Sequence, residues 1–154
     1  MSAFIPAELA PCLDDISRQA FATLADMYPV TASADSLVSS AVASRISIRG
    51  EQDAESDLWI RADEPFAEAF TQRLFATLTT HVSEDEVIDA IKELANTVGG
   101  NLKGLVDAAT TLSIPTAVLS PQTLKQTNVI AKFAYHFEGA GECVVELCES
   151  SANY

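Results

Sequence analysis

The stretch that most constrains this fold covers residues 82–109, VSEDEVIDAIKELANTVGGNLKGLVDAA. Its start is specified several times over. Ser83 followed by Glu86 forms a capping box, in which each side chain satisfies an orphan backbone N–H of the other. Val82 before the cap and Val87 after it stand where a hydrophobic staple packs. Glu84, Asp85 and Glu86 fill the first turn, where the helix dipole favours negative charge. Val87, Ile91, Leu94, Val98, Leu102 and Leu105 then recur at spacings of four and three, the apolar stripe of an amphipathic helix. The pattern predicts one long helix over 82–109 with a buried face and a second, working face.

At about 100° per residue, Asp89, Glu93, Asn96, Gly100 and Gly104 fall opposite the stripe. An ordinary solvated face would be filled with Glu, Lys and Ala. Asparagine is a poor mid-helix residue, because its amide competes with the backbone for hydrogen bonds. Each mid-helix glycine costs about 0.5–1 kcal/mol relative to alanine. This face instead offers a carboxylate and a carboxamide at i, i+3, beside a strip free of side chains. Neighbours at that spacing project together, so Glu93 and Asn96 can reach one target. The plainer reading is a solvated Glu and Asn, with the glycines serving close helix packing. The helix taken alone leaves both readings open.

With 154 residues the chain fits one domain, 1–154, with a sizeable core. A net charge of −13 repels phosphate backbones and anionic lipid, which argues against nucleic acid and membrane as partners. Such a surface suits a protein partner with a basic rim. No secretory signal pattern opens the sequence, and no apolar run is long enough to span a bilayer, which points to the cytoplasm. Cys12, Cys143 and Cys148 form no disulfide framework and read as reduced, mostly buried thiols.

Taken in order, the chain opens with a second apolar stripe, Leu9, Leu13, Ile16, Ala20, Leu24 and Met27. It predicts a helix from Pro6 to Tyr28, stopped by Pro29, with Pro11 kinking it or marking its true start. Each member of this stripe lies 78 positions before its counterpart in the central helix, which suggests an internal duplication. Residues 30–41 suit an edge strand and a loop. Residues 42–49 and 57–62 read as the two strands of a hairpin. Asp63 caps a further helix with Pro65 in its first turn and the stripe Phe66, Phe70, Leu74, Leu78. Residues 112–119 form a short strand interrupted by Pro115, hence at an edge or a bulge. Residues 121–126 read as a loop and 151–154 as a frayed tail. Residues 127–137 alternate Val129, Ala131, Phe133, Tyr135 and Phe137 on one face, and 142–148 return as their hairpin partner. Each half thus reads helix, short strand, hairpin, with an extra helix between the halves. The expected class is α+β: an antiparallel sheet packed against helices, in pseudo-duplicated halves.

The sequence carries neither a P-loop nor a dinucleotide-binding glycine fingerprint. His81 and His136 have no Cys or His partner at zinc-ligand spacing, so no metal site is expected. A nucleophilic pair of His136 with Cys143 across the last hairpin has no local support. Glu93 and Asn96 remain as the one suspicious pair.

The run Asp89-x-x-x-Glu93-x-x-Asn96, continuing through Gly100-Asn101 and followed by Ile114-Pro115, resembles the signature of the CheX/CheC/FliY chemotaxis phosphatases. Its wording is most similar to CheX. The resemblance covers nearly the whole chain. The 78-residue offset puts Asp15 and Arg18 where a second motif would stand, so a single site is expected, again as in CheX. The resemblance implies a CheC-like fold and hydrolysis of the phospho-aspartate on a CheY-like response regulator. The regulator supplies the acyl phosphate, a bound Mg²⁺ and a lysine, and the phosphatase needs no cofactor of its own. In that mechanism Asn96 positions the attacking water, as a carboxamide can accept one hydrogen bond and donate another. Glu93 pairs with the regulator's lysine, while Asp89, Gly100 and Gly104 meet the regulator's surface. A homodimer is expected from the same resemblance and from the strand edge at Pro115. The alternatives are a non-catalytic CheC-like module that binds a regulator or acts as an adaptor, and a purely structural dimer.

Overall fold

The computed structural model describes residues 9–33, 40–50, 55–76, 81–106, 110–119 and 128–149. The first helix, α1 (Ala10–Ala25), carries Pro11 in its first turn, where a missing N–H breaks no helical bond. Pro11 therefore marks the start and kinks nothing. The helix ends earlier than Pro29 required. Asp26 turns left-handed (φ 52°) and its N–H closes on Ala22 O. The short strand β1 (Thr31–Ser33) follows, and then the expected hairpin of β2 (Val42–Arg49) and β3 (Glu55–Ala62). Asp63 accepts a 3.0 Å hydrogen bond from Phe66 N and so caps α2 (Glu64–Leu74). The central helix is α3 (Glu84–Lys103). After it come β4 (Thr111–Leu112), β5 (Thr116–Leu119), β6 (Val129–His136) and β7 (Glu142–Glu149). Leu78, residues 107–109, the loop expected over 121–126 and the tail over 151–154 lie outside the described residues.

All strands join one antiparallel sheet in the order β1-β6-β7-β3-β2-β4, with β5 also paired to β2. The halves interlock. The short strand of the first half pairs with the hairpin of the second, and the short strands of the second half pair with the hairpin of the first. The duplication is thus visible in space, with one refinement. Helix α3 begins and ends 78 or fewer positions after α1 (103 − 25 = 78), whereas the hairpins are offset by 87 (129 − 42 and 142 − 55). The second half takes a longer path from its helix to its hairpin.

Two expected details differ. Leu105 does not continue the apolar stripe of α3. The helix stops at Lys103, the chain tightens through Leu105 N to Leu102 O and Val106 N to Lys103 O, and Leu105 is 51% exposed. Val129 does not share a face with Ala131, Phe133 and Tyr135. The register shifts between Val129 and Ala131, and a bulge reverses the alternation there, leaving Val129 44% exposed. Pro115 does what was expected of it. It separates β4 from β5 on the outer side of β2, and Ser113 bridges the gap: its N–H donates to Ser47 O and its Oγ accepts from Ser47 N, both at 2.9 Å.

The three helices cover one face of the sheet, with α3 lying on β2, β3, β4 and β5 and touching both α1 and α2. Phe21, which the stripe of α1 did not single out, centres the core. Its ring meets Phe66, Tyr135 and Phe137 edge-on at centroid distances of 5.9, 5.1 and 5.0 Å. The other sheet face carries cross-strand ion pairs, Arg45–Asp57, Arg49–Glu55 and Arg61–Glu146, and His136 faces Glu142 there. Strand β7 is buried on both faces, and Glu146 is only 2% exposed beside Arg61. Among the described residues no helix is long and apolar enough to cross a membrane.

Candidate functional site on the exposed face of α3

The capping box forms as the sequence required, with Ser83 N donating to Glu86 Oε1 at 2.9 Å and Glu86 N donating to Ser83 Oγ at 3.1 Å. This sets the start of α3 and hence the rotation of every later residue. Ala90, Ile91, Leu94, Ala95, Val98, Gly99 and Leu102 are driven into the core. Asp89, Glu93, Asn96, Gly100 and Gly104 all lie exposed on the opposite side. Glu93 and Asn96 therefore stand one turn apart on a solvent face, as their spacing implied.

The fold makes little use of this face. Among the described residues no hydrogen bond engages the Asn96 carboxamide. Glu93 Oε1 accepts a long bond, 3.4 Å, from Thr97 Oγ1, a neighbour that the sequence reading did not name. A Cβ added at Gly100 would meet nothing within 4 Å. Close helix packing therefore does not explain that glycine. The packing role belongs to the adjacent Gly99, which the sequence reading passed over. A Cβ there would stand 3.0 Å from Ile46 Cγ2 on β2. The signal was present, since Gly99 follows Ala95 by one turn and the two small residues let the helix settle on the sheet. Gly104 is not a mid-helix residue. It is the C-cap of α3 (φ −61°), at the exposed end of the same face.

The counterpart positions on α1 carry different chemistry. Asp15 is exposed, but Arg18 is tied to Asp14 at 2.9 Å and stacks over the Tyr135 ring at 5.5 Å. Tyr135 Oη donates to Asp14 Oδ1 at 2.8 Å, and burial, then that carboxylate, raises its pKa. This is a structural network joining α1 to β6. An open hollow of about 570 Å³ beside it is lined by Asp15, Arg18, Gln19, Ala22, Tyr28 and Pro29. A second hollow, of about 310 Å³, lies between α2, β5 and the N-terminus of α3. Neither is lined by Glu93 or Asn96, which project from the exposed face of α3.

His136 and Cys143 do not meet. His136 is exposed and faces Glu142 at 3.9 Å, while Cys143 is buried on the helix side, opposite Tyr135. Burial, then the charge of Asp63, raises the Cys143 thiol pKa, which is the reverse of what a nucleophile needs. Among the described residues no group of His, Cys, Asp and Glu side chains could hold a metal ion.

A family model described as "Chemotaxis phosphatase CheX" matches residues 42–138. No curated protein matches the sequence. Among solved structures, the chemotaxis protein CheX from Vibrio vulnificus superposes with a TM-score of 0.78 at 17% identity, over 97% of this chain and 100% of that one. CheX in a CheX–CheY–BeF₃–Mg complex from Borrelia burgdorferi gives 0.73 at 12% identity, over 96% and 99%. A CheC-like protein from Shewanella oneidensis gives 0.70 at 19% identity, over 97% and 100%. At these identities the likeness establishes the fold.

Proposed function

Because the chain belongs to the CheX family of chemotaxis phosphatases, we propose that it hydrolyses the phospho-aspartate of a CheY-like response regulator through Glu93 and Asn96 on α3. One observation carries the assignment: a carboxylate and a carboxamide project side by side from a helix face to which the fold gives no other use. Side chains that project from an exposed helix face suit a reaction whose electrophile sits in another protein's pocket. The Asn96 carboxamide accepts a hydrogen bond from the attacking water and donates one to a phosphoryl oxygen, holding the two in line. Glu93 pairs with the regulator's lysine and draws it from the phosphoryl group. Gly100, with open space where a side chain would be, leaves room for the regulator's backbone, and Asp89 and Gly104 extend the contact along the same face. The Mg²⁺ is the regulator's, and this chain brings no cofactor.

Asn96→Ala tests the mechanism. Alanine removes the carboxamide and favours the helix, so thermal stability should hold or rise slightly. Release of inorganic phosphate from the phosphorylated regulator should fall by about 100-fold or more, because water positioning acts in the transition state. Binding to the BeF₃⁻-activated regulator should survive. A rate within about twofold of the parent would transfer the site to the non-catalytic binding reading. Pairing of two copies along the β4–β5 edge belongs to the same proposal, since Ile114 (85%) and Val118 (51%) are exposed there. Light scattering at 16.4 kDa, the mass of one chain, would remove it.

A further inference from the structure

The lysine one turn before Asn96 is one of two described cations with no ion pair, hydrogen bond or helix end to account for it; the other, Lys132, lies on β6 opposite Glu146 of β7. Arg18, Arg45, Arg49 and Arg61 are held in ion pairs, and Arg73 donates to Asp26 O at 3.1 Å. Lys103 sits in the last turn of α3, where a positive charge complements the helix dipole. Lys92 has neither explanation. It lies mid-helix, half-buried, in no ion pair among the described residues, although Asp89 is three positions before it and Glu93 is adjacent. Helical side chains lean towards the N-terminus, so a residue covers the turn before its own Cα. The Asn96 side chain therefore leans back towards the turn that carries Lys92 and Glu93. The Glu93 carboxylate is engaged by Thr97, not by Lys92. A cation and an anion thus stand in the turn before the carboxamide and form no ion pair with each other.

The proposed mechanism needs such a cation. If Glu93 takes the regulator's lysine, the phosphoryl group loses a positive partner as its bond to the aspartate begins to break. We propose that Lys92 replaces that charge, placing its ammonium against a phosphoryl oxygen in the docked complex; this rests on the phosphatase reading above. Water forms the new bond to phosphorus. The acyl P–O bond breaks, and its electron pair stays on the regulator's aspartate as a carboxylate. Both protons of the water leave with the phosphate, one of them on a former phosphoryl oxygen. Negative charge spread over the phosphoryl oxygens in this transition state is what a lysine point charge stabilises. On α3 the other lysine, Lys103, stands two turns beyond Asn96, which leaves Lys92 the cation nearest to Asn96 along the helix.

The test uses the full chain with a CheY-like regulator phosphorylated by acetyl phosphate in Mg²⁺, following inorganic phosphate release at saturating regulator. Lys92→Met keeps the stem and helix propensity and removes the charge. Its kcat should fall about 10- to 100-fold, with the melting temperature unchanged, and Lys92→Arg should recover most of the rate. A purely structural lysine would move the melting temperature or KM and leave kcat alone. Asn96→Ala is run alongside. If it is inactive while Lys92→Met stays within twofold of the parent kcat, the role of Lys92 is overturned and the phosphatase reading stands. If neither substitution changes the rate, both fall together.

Discussion

Gly99 and Gly100 are adjacent in one helix, and replacing each by alanine should act in opposite directions. Removing a mid-helix glycine gains about 0.5–1 kcal/mol through backbone entropy, the same for both. At Gly100 nothing opposes the gain, because a Cβ there meets no atom within 4 Å. With an unfolding entropy of about 2.1 cal/mol/K per residue over 154 residues, Gly100→Ala should raise Tm by about 1.5–3 °C. At Gly99 the new methyl would stand 3.0 Å from Ile46 Cγ2, which belongs to a fully buried β-branched side chain. Such side chains are stiff at χ1, and overpacking costs about 1–3 kcal/mol. That exceeds the propensity gain, so Gly99→Ala should lower Tm. Calorimetry or circular dichroism melts of the two variants read both signs directly. Phosphate release should separate them again. The stabilised Gly100→Ala should lose activity several-fold, because its methyl enters the space proposed for the regulator's backbone. A fall in Tm for Gly100→Ala would refute the face assignment of α3. A rise in Tm with unchanged phosphate release would refute close approach at that position.

Two further outcomes follow from the fold. Asp63 caps α2 through Phe66 N and also accepts Glu142 N at 3.0 Å, tying α2 to the start of β7. Asp63→Ala should cost about 2–3 kcal/mol, the sum of a lost cap and a second bond to a charged acceptor, and lower Tm by about 6–9 °C; a drop under 2 °C would show that neither bond matters. The Cys148 thiol is pushed up to about 11 by burial first and then by the charge of Glu146, and Cys143 is raised by its burial. The unfolded chain releases these protons near the ordinary thiol pKa of about 8.5, so the thiols' contribution is complete below that pH and is lost as pH rises towards 11. Urea midpoints should fall between pH 8.5 and 11, and less steeply in a Cys148→Ala variant. Rapid alkylation of both thiols in the native protein at pH 8 would contradict their burial.

Most of the local instructions were legible in the chain, the ends of α1 and α3 excepted. Ser83 and Glu86 set the start of α3, Asp63 set α2, Pro115 broke the edge strand, and the alternation of apolar residues located both hairpins, because caps, rings and period-two patterns act within a few residues. The juxtaposition of the two candidate site residues was legible for the same reason: once α3 is a helix, the i, i+3 spacing alone puts Glu93 and Asn96 together. What sequence periodicity could not decide depends on distant segments. It passed over Gly99, although that glycine is pressed against Ile46, which is far away in the chain. It placed Val129 with Ala131, although pairing with β7 inserts a bulge between them. It left Phe21 unremarked, although three aromatic rings from α2 and the last hairpin converge on it. Nor could it foresee that each short strand would pair with the other half's hairpin. A residue's own neighbours set its backbone conformation, but which face is pressed and which is left open is set by the element packed against it, and that partner is chosen only when the whole sheet assembles.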